Sequence, residues 1–535
     1  MHSLLYRIVD SSRFAALLLV TLFLIPVTTA YSQTTSYADD LAPFLKVNSF
    51  DALSDLAKRF AKETYQSIPD PPEALTDLIY EDYNKIQFLH HRGIWAGGKT
   101  PFWFETFHRG YIQQDRIEVF TLENGVTRHV PYAKDLFDYA GVLDPDKIPA
   151  DTGHAGLKIA GHFSPQKDGE EGEDANGVEL LTFLGSSYFR SRPEKFAYGA
   201  SARALAVNIS MNVEEEFPIL RAFWVEKPTD KSRTVTILAL LDSPSVTGAY
   251  RFTFQPGIFE SGVDVKARLY FRSAIEKLAI APITSMWMWG DGFAGPKTDN
   301  RPSVHDSDGV LINSGEDGWI WRPLTRHSYP SVSSRRVETL KGFGALQRNR
   351  AFFHFEDYNA DYHKRPSVYV TPKKPWEGGR VEIAEFPAPH EGIDNINAYW
   401  VFDYGIDFKQ PMDVEYNVKF LVGDVGEHNT LGRATSFSVD RSDGQIKLAV
   451  RFADGAIEKV QHDAMPKIQL SVVRGRSVSQ SVERTDTKDL MAIATLEPEG
   501  DAPMEIEMLL QRDGEALTET FLYVCPTKQP VIPKK

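Results

Sequence analysis

Cysteine is all but missing from this chain: Cys525 is the only one in 535 residues. No intramolecular disulfide can form. The fold must rest on its buried core, which a chain of this length can supply because large proteins bury most of their surface. An excess of positive charge is missing too. The net charge of −14 opposes binding to nucleic acid or to an acidic membrane surface, and it suits a neutral ligand. Beyond the first thirty residues no run is long and apolar enough to span a bilayer, which takes about 20 residues. There is no glycine-rich loop with a following lysine to cradle phosphate and no Gly-x-Ser-x-Gly elbow, and a lone cysteine near the C-terminus is a poor nucleophile. His90 and His91 are adjacent rather than spaced as metal ligands. No pattern implies a metal or a cofactor.

What is present begins with an address. Arg7 and Arg13 accompany a short apolar run over residues 14–25, which Pro26 breaks. Thr28 and Ala30 then offer the small residues that a signal peptidase reads. Residues 1–30 are expected to be a signal peptide cleaved near Ala30, with an uncleaved anchor as the competing reading. No cysteine follows for lipid attachment, so the mature chain is expected to be soluble and exported. Its length suggests two or more domains. Aromatic residues make up 12 % of it, with nine tryptophans, enough to furnish a core and a surplus for stacking on sugar faces.

Residues 51–65 place Leu53, Leu56, Phe60 and Ala61 on one face behind Ser49, which predicts a capped helix. A second short helix is expected over 73–80, after Pro71-Pro72. From about Gln87 onward, short segments rich in Val, Ile, Phe, Tyr and Thr alternate with Gly, Pro, Asp and Asn. Residues 263–271 are the clearest strand, with Val263, Val265, Ala267, Leu269 and Phe271 alternating with polar partners. Residues 235–241, 250–254 and 381–383 read the same way. Many short strands predict a mainly β chain, as a sandwich or a pair of stacked sheets. A domain boundary is expected near 423–432. Beyond it, strands at 446–452, 505–509 and 521–524, with turns at Asp443-Gly444 and Asp513-Gly514, fit a small immunoglobulin-like sandwich. The acidic stretch 166–177 reads as a solvated insertion, since it lacks the spacing of a calcium loop.

Two carboxylates facing each other across a sugar are the usual means of cleaving or transferring a glycosidic bond. The candidates are Asp306, within Arg301-Pro302-Ser303-Val304-His305-Asp306-Ser307-Asp308-Gly309, and Asp394, within Asp394-Asn395-Ile396-Asn397-Ala398-Tyr399-Trp400. One must be protonated and the other ionised, although both start from a pKa of about 4. Tyr399 and Trp400 are expected to wall Asp394 from water and suit it to general acid. The polar neighbours His305, Ser307 and Asp308 are expected to keep Asp306 ionised. A turn-forming role stays open for both aspartates. Trp287 with Trp289, and Trp319 with Trp321, alternate along strands and offer either a glycan-stacking face or core packing. Arg190, Arg192 and Arg203, near Tyr188 and Tyr198, are hydroxyl donors or structural partners of the surplus acids. Tyr362 and Arg365 have a loop setting that suits function.

At these residues the chain closely resembles the periplasmic glucan biosynthesis proteins G and D of Gram-negative bacteria, the osmoregulated periplasmic glucan family. The resemblance covers nearly the whole mature chain. It rests on blocks in one order: Gly185-Ser186-Ser187-Tyr188-Phe189-Arg190, Tyr198-Gly199-Ala200-Ser201-Ala202-Arg203, Glu215-Glu216-Phe217-Pro218, Leu240-Leu241-Asp242-Ser243-Pro244, Thr247-Gly248-Ala249-Tyr250 and Ala281-Pro282-Ile283-Thr284-Ser285-Met286. It continues through Arg301-Pro302 with His305-Asp306-Ser307, Trp319-Ile320-Trp321-Arg322-Pro323-Leu324, Gly342-Phe343-Gly344, Phe355-Glu356-Asp357, and the Asp394 block. The lack of a twin-arginine motif in the leader points to the G type.

The resemblance implies a large β-sandwich of the galactose-mutarotase type over 31–424 and a smaller immunoglobulin-like domain over 432–535. It implies a periplasmic role in making glucans with a β-1,2-linked backbone, with other periplasmic or inner-membrane glucan biosynthesis proteins as partners. Members are similar to inverting endo-β-1,2-glucanases. On that pattern Asp394 matches the general acid and Asp306 a general base reached through a substrate hydroxyl. Tyr362 matches a tyrosine lining the site, and Glu391 an acidic residue supporting the acid. Arg365, Trp287 and Trp321 are expected to bind substrate. His363-Lys364 stands where members often carry Asp-Leu, beside the site tyrosine. Two functions remain in play: an inverting hydrolase or transglycosylase, and a non-catalytic glucan-binding or assembly factor. Direct acid–base chemistry at an acetal needs no cofactor.

Overall fold

The computed structural model describes residues 41–162, 177–428 and 430–530. The expected signal peptide and all of the acidic stretch except Gly177 lie outside the described residues. The protein is mainly β, as the alternation of short apolar segments predicts.

Phe50–Phe60 is the one α-helix longer than four residues among the described residues. Ser49 caps it, its Oγ accepting the Ala52 amide at 3.2 Å. Leu53, Leu56, Ala57 and Phe60 pack on Phe120, Trp224, Leu238 and Leu240. The strands beneath are therefore covered on both faces. Ile219–Glu226 and Val235–Asp242 are almost wholly buried and read as apolar runs rather than alternating ones. The helix expected over 73–80 is split into Glu73–Thr76 and Tyr80–Tyr83, with Ile79 extended between them. Leu75 is the only buried residue of the two pieces, too small an apolar stripe to hold a longer helix.

One antiparallel ladder runs from Ile219–Glu226 through Val235–Asp242, Val246–Gln255, Glu260–Phe271 and Met412–Leu421 to Ser367–Pro372. A second runs from Phe102–His108 through His154–Gly161, Val178–Leu184, Tyr188–Ser191, Ser201–Arg203, Leu278–Ser285 and Ile396–Phe402 to Trp376–Glu385. The long strand Ser331–Leu346 joins them, pairing first with Trp376–Glu385 and at its end with Ser367–Pro372. Val263, Val265, Ala267 and Leu269 from one ladder share a core with Ile280, Ile283, Val381, Ile383 and Ala398 from the other. Alternate residues facing inward from two ladders make a sandwich core.

From Arg433 onward the chain forms the sheet Arg433–Ser442, Gln445–Ala453, Leu490–Pro498, Gly475–Arg484, in that spatial order. Opposite lie Lys467–Val473, Met504–Arg512 and Thr520–Cys525. Leu448, Val450, Phe452, Ile506, Met508 and Tyr523 belong to their shared core. These strands are welded to the larger sandwich: Thr520–Cys525 pairs in parallel with Gly318–Pro323, and Trp321, Tyr369 and Leu421 belong to the same core.

Candidate active site

A break in one strand builds the site. Leu278–Ser285 shifts register between Ile280 and Ile283. Pro282 has no amide for the ladder there, and Ala281 takes φ 48°. The chain runs on through Met286 into Trp287–Trp289. Asn395 grips one side of this segment. Its amide donates to Ser285 O at 3.1 Å, its Oδ1 accepts the Trp287 amide at 2.9 Å, and its Nδ2 donates to the carbonyls of Trp287 and Phe386, both at 2.9 Å. On the other side His305 pairs with Trp287, and the Asp306 amide donates to Met286 O at 2.8 Å. Asp394 and Asp306 therefore leave from two segments flanking one strand. Two strand spacings put their main chains roughly 9–10 Å apart.

Asp306 is only 4 % exposed. Burial pushes its carboxyl up to about 6; Arg365 opposes that rise and the charge of Asp394 adds to it. The Arg365 guanidinium pairs through Nη1 with Asp306 Oδ1 and lies 4.4 Å over the Tyr362 ring. Its Nε and Nη2 donate to Ala360 O at 3.2 and 3.1 Å. Gly199 lies so close that a Cβ there would meet Arg365 Cβ at 2.8 Å. Asp394 is 30 % exposed at its side chain, and its Oδ2 sits 3.7 Å from Arg190 Nη2.

Arg301 organises the rim. Its Nη1 meets Glu391 Oε2 at 2.8 Å and Asp357 Oδ2 at 2.7 Å, while its Nη2 meets Asp299 at 2.7 Å. Asp357 in turn accepts the amides of Asn359 and Ala360. One guanidinium thus ties the loop of Glu391 to the loop that carries Tyr362. The Tyr362 phenol is raised far above its ordinary value, first by burial and then by the carboxylates of Glu391 and Asp306. It stays neutral and able to donate.

The structure gathers Asp306, Asp394, Tyr362, Glu391 and Arg365 into one electrostatic group. Two expectations about that group need correcting. Asp306 does not sit in a polar, hydrated setting, because the segments folded over it, not its sequence neighbours, decide its hydration. Tyr399 and Trp400 do not wall Asp394. They lie roughly 16 Å and more up the strand from it. The Tyr399 hydroxyl donates to Glu382 at 2.9 Å, and Trp400 packs in the core near Trp376.

The tryptophans are packing residues, with Trp289 lying under the Arg301 guanidinium and donating through Nε1 to Arg301 O at 2.9 Å. Trp287 and Trp289 are buried in the sandwich core. Trp321 lies beneath the Arg348 guanidinium at 3.7 Å, and Trp319 packs on His428. Trp287 and Trp321 line a small cavity of about 20 Å³ with Asp291, Asp308, Arg348 and Phe437, at the junction with the C-terminal strands. Arg203 is buried against Glu215 at 2.9 Å, and Arg192 donates to Phe196 O at 2.8 Å. Only Arg190 of that trio reaches Asp394. Sequence reasoning missed the roles of Arg301 and Asn395, although both stand in quoted blocks. It missed Gln347 altogether, and that residue has no local signature.

Fold and site define a β-sheet protein with a paired-carboxylate group, an arrangement used on sugars. Comparison with known families then supplies the identity: a family model described as "Periplasmic glucan biosynthesis protein, MdoG" matches residues 48–525, and the chain belongs to that family. Its role lies in periplasmic glucan biosynthesis, and its location is periplasmic. No helix among the described residues is long and apolar enough to cross a membrane.

Proposed function

We propose that this protein acts on glucan with a β-1,2-linked backbone as an inverting endo-glucanase or transglycosylase. In the hydrolytic reaction Asp394 gives its proton to the glycosidic oxygen as the bond to C1 breaks. Water adds to C1 from the opposite face, and its proton passes through a substrate hydroxyl to Asp306. The observation that carries the reading is the placement of both carboxylates astride the 285–287 segment. The two side chains are close enough for the charge of Asp394 to raise the Asp306 carboxyl, and an inverting pair needs room between its carboxyls for a water. A carboxyl titrating at about 6 is largely ionised at neutral pH and more basic than an ordinary aspartate, which suits a general base. A base shielded from solvent also fits proton delivery through the substrate. Glu391 and Tyr362 shape the space between, and Arg365 favours the ionised form of Asp306 against its burial. On this reading residues 31–424 form the glucan-binding domain and 432–535 an immunoglobulin-like one. The leader is cleaved near Ala30, the chain is of the G type, and other periplasmic or inner-membrane biosynthetic proteins are its partners.

One observation favours a second reading, a glucan-binding or assembly factor without turnover: Asp306 is covered and held by Arg365. Incubating the mature protein with linear β-1,2-glucan, beside Asp394→Asn, separates the two. Products that vanish in the variant support the enzyme. Equal binding by both proteins, without products, supports the assembly factor.

A further inference from the structure

The end of Ser331–Leu346 delivers two adjacent residues in opposite directions, as successive side chains of an extended chain must point. Gln347 is fully buried and turns toward the site. Its Oε1 accepts from His305 Nδ1 at 2.8 Å, and its Nε2 donates to His305 O at 3.0 Å and to Tyr362 O at 3.2 Å. His305 O belongs to the peptide bond leading into Asp306. One side-chain amide therefore spans the segments that carry Asp306 and Tyr362. Burial, with His354 nearby, lowers the His305 imidazole to about 3, so the ring is neutral near neutral pH and the bond to Gln347 fixes its one proton on Nδ1.

Arg348 turns toward the C-terminal strands. Its Nη1 donates to Glu519 Oε1 at 2.6 Å and Ala434 O at 3.1 Å. Its Nη2 reaches Glu519 Oε2 at 2.9 Å and Asp424 Oδ2 at 3.0 Å. Glu519 also accepts the Ala434 amide at 2.8 Å and faces His428 Nε2 at 2.9 Å. The amides of Arg348 and Asn349 donate to the Asp308 carboxylate at 3.0 and 3.2 Å, two residues beyond Asp306. Residues 305–308 and 347–349 are thus bonded to each other twice, once beside the carboxylate site and once beside the C-terminal strands.

We propose that Gln347 is a positioning residue that sets Asp306 against Tyr362, and that Arg348 and Glu519 make its placement depend on the C-terminal strands. The proposal deepens the glucan reading of the site, yet its structural half can be tested without glucan. Hydrogen exchange of the full chain, read by mass spectrometry, should show faster exchange in both 303–308 and 358–366 for Gln347→Leu. The remote Glu519→Gln should loosen the same two segments. Where glucan is turned over, each variant should lose on the order of tenfold in kcat with KM little changed; a loss of stability alone would not split the two constants. Glu519→Gln exchange that rises only around 424–434 and 517–521 would overturn the coupling. If that variant does not fold, Gln347→Leu decides: faster exchange in only one of the two segments, or in neither, overturns the positioning role. A native protein that neither binds nor cuts glucan would sink the glucan reading and leave the exchange result to stand by itself.

Discussion

Replacing Asp306 by Asn should make the protein gain stability relative to the native one as pH rises, because only the aspartate becomes charged in its buried site. Burial lifts this carboxyl from its ordinary 3.8 to about 6 even with Arg365 alongside. The folded state therefore holds the proton more tightly than the unfolded chain does. Because the folded pKa is the higher one, the associated stability is complete below about pH 4 and is lost as pH rises through about 6. The loss comes to about 3 kcal/mol, from a shift of roughly two units at about 1.4 kcal/mol each. Asn abolishes the ionisation but strands the Arg365 guanidinium at every pH. The two effects separate because only the first varies with pH, and about 2 kcal/mol of it develops between pH 4.5 and pH 8. Thermal unfolding of both proteins at these two pH values is the assay. The midpoint of Asp306→Asn relative to the native protein should climb between pH 4.5 and pH 8. A difference that stays flat, or falls, refutes the argument that burial sets the state of Asp306.

Arg365→Met removes the cation that opposes burial, so Asp306 should titrate above about 6 and the acidic limb of the pH–rate profile should move to higher pH; an unmoved limb contradicts the pairing. Gly199→Ala places a methyl 2.8 Å from Arg365 Cβ, and the strain of about 1–3 kcal/mol should displace the guanidinium and weaken glucan binding, measurable by calorimetry against the native protein. Glu385 is held down to about 2 despite its burial, by Arg322 at 2.6 Å and His327 at 3.0 Å. Glu385→Gln leaves a buried arginine unpaired and should cost about 3–5 kcal/mol; an unfolding temperature within a degree of native speaks against that.

Local rules read the elements whose burial is one-sided. Ser49 and the Leu53, Leu56, Phe60 stripe predict their helix because cap and stripe lie within a few turns of chain. Residues 263–271 alternate because one face meets the core. Periodicity has less to say about Val235–Asp242, which the helix covers from outside, and the single helix expected over 73–80 is interrupted by the extended Ile79. The site divides in the same way. Residue blocks bring Asp306, Asp394, Tyr362, Glu391 and Arg365 to notice, and the fold sets them together. The aromatic alternation at Trp287 and Trp321 is equally legible, yet it serves packing against the core and the junction. Gln347 is invisible beforehand, since a glutamine becomes a clamp only through what lies at its two ends.

The sequence by itself determined that no disulfide could brace the chain, that its strands would stack into sheets, and that carboxylates, arginines and aromatics would be at hand in particular loops. Tertiary structure alone decided which aspartate is dry and which is wet. Arg365 arrives from 59 residues away to meet Asp306, and Asp394 comes in across the 285–287 segment. A carboxylate's charge depends on the solvent it has lost and the fields it feels, and both are supplied by segments distant along the chain.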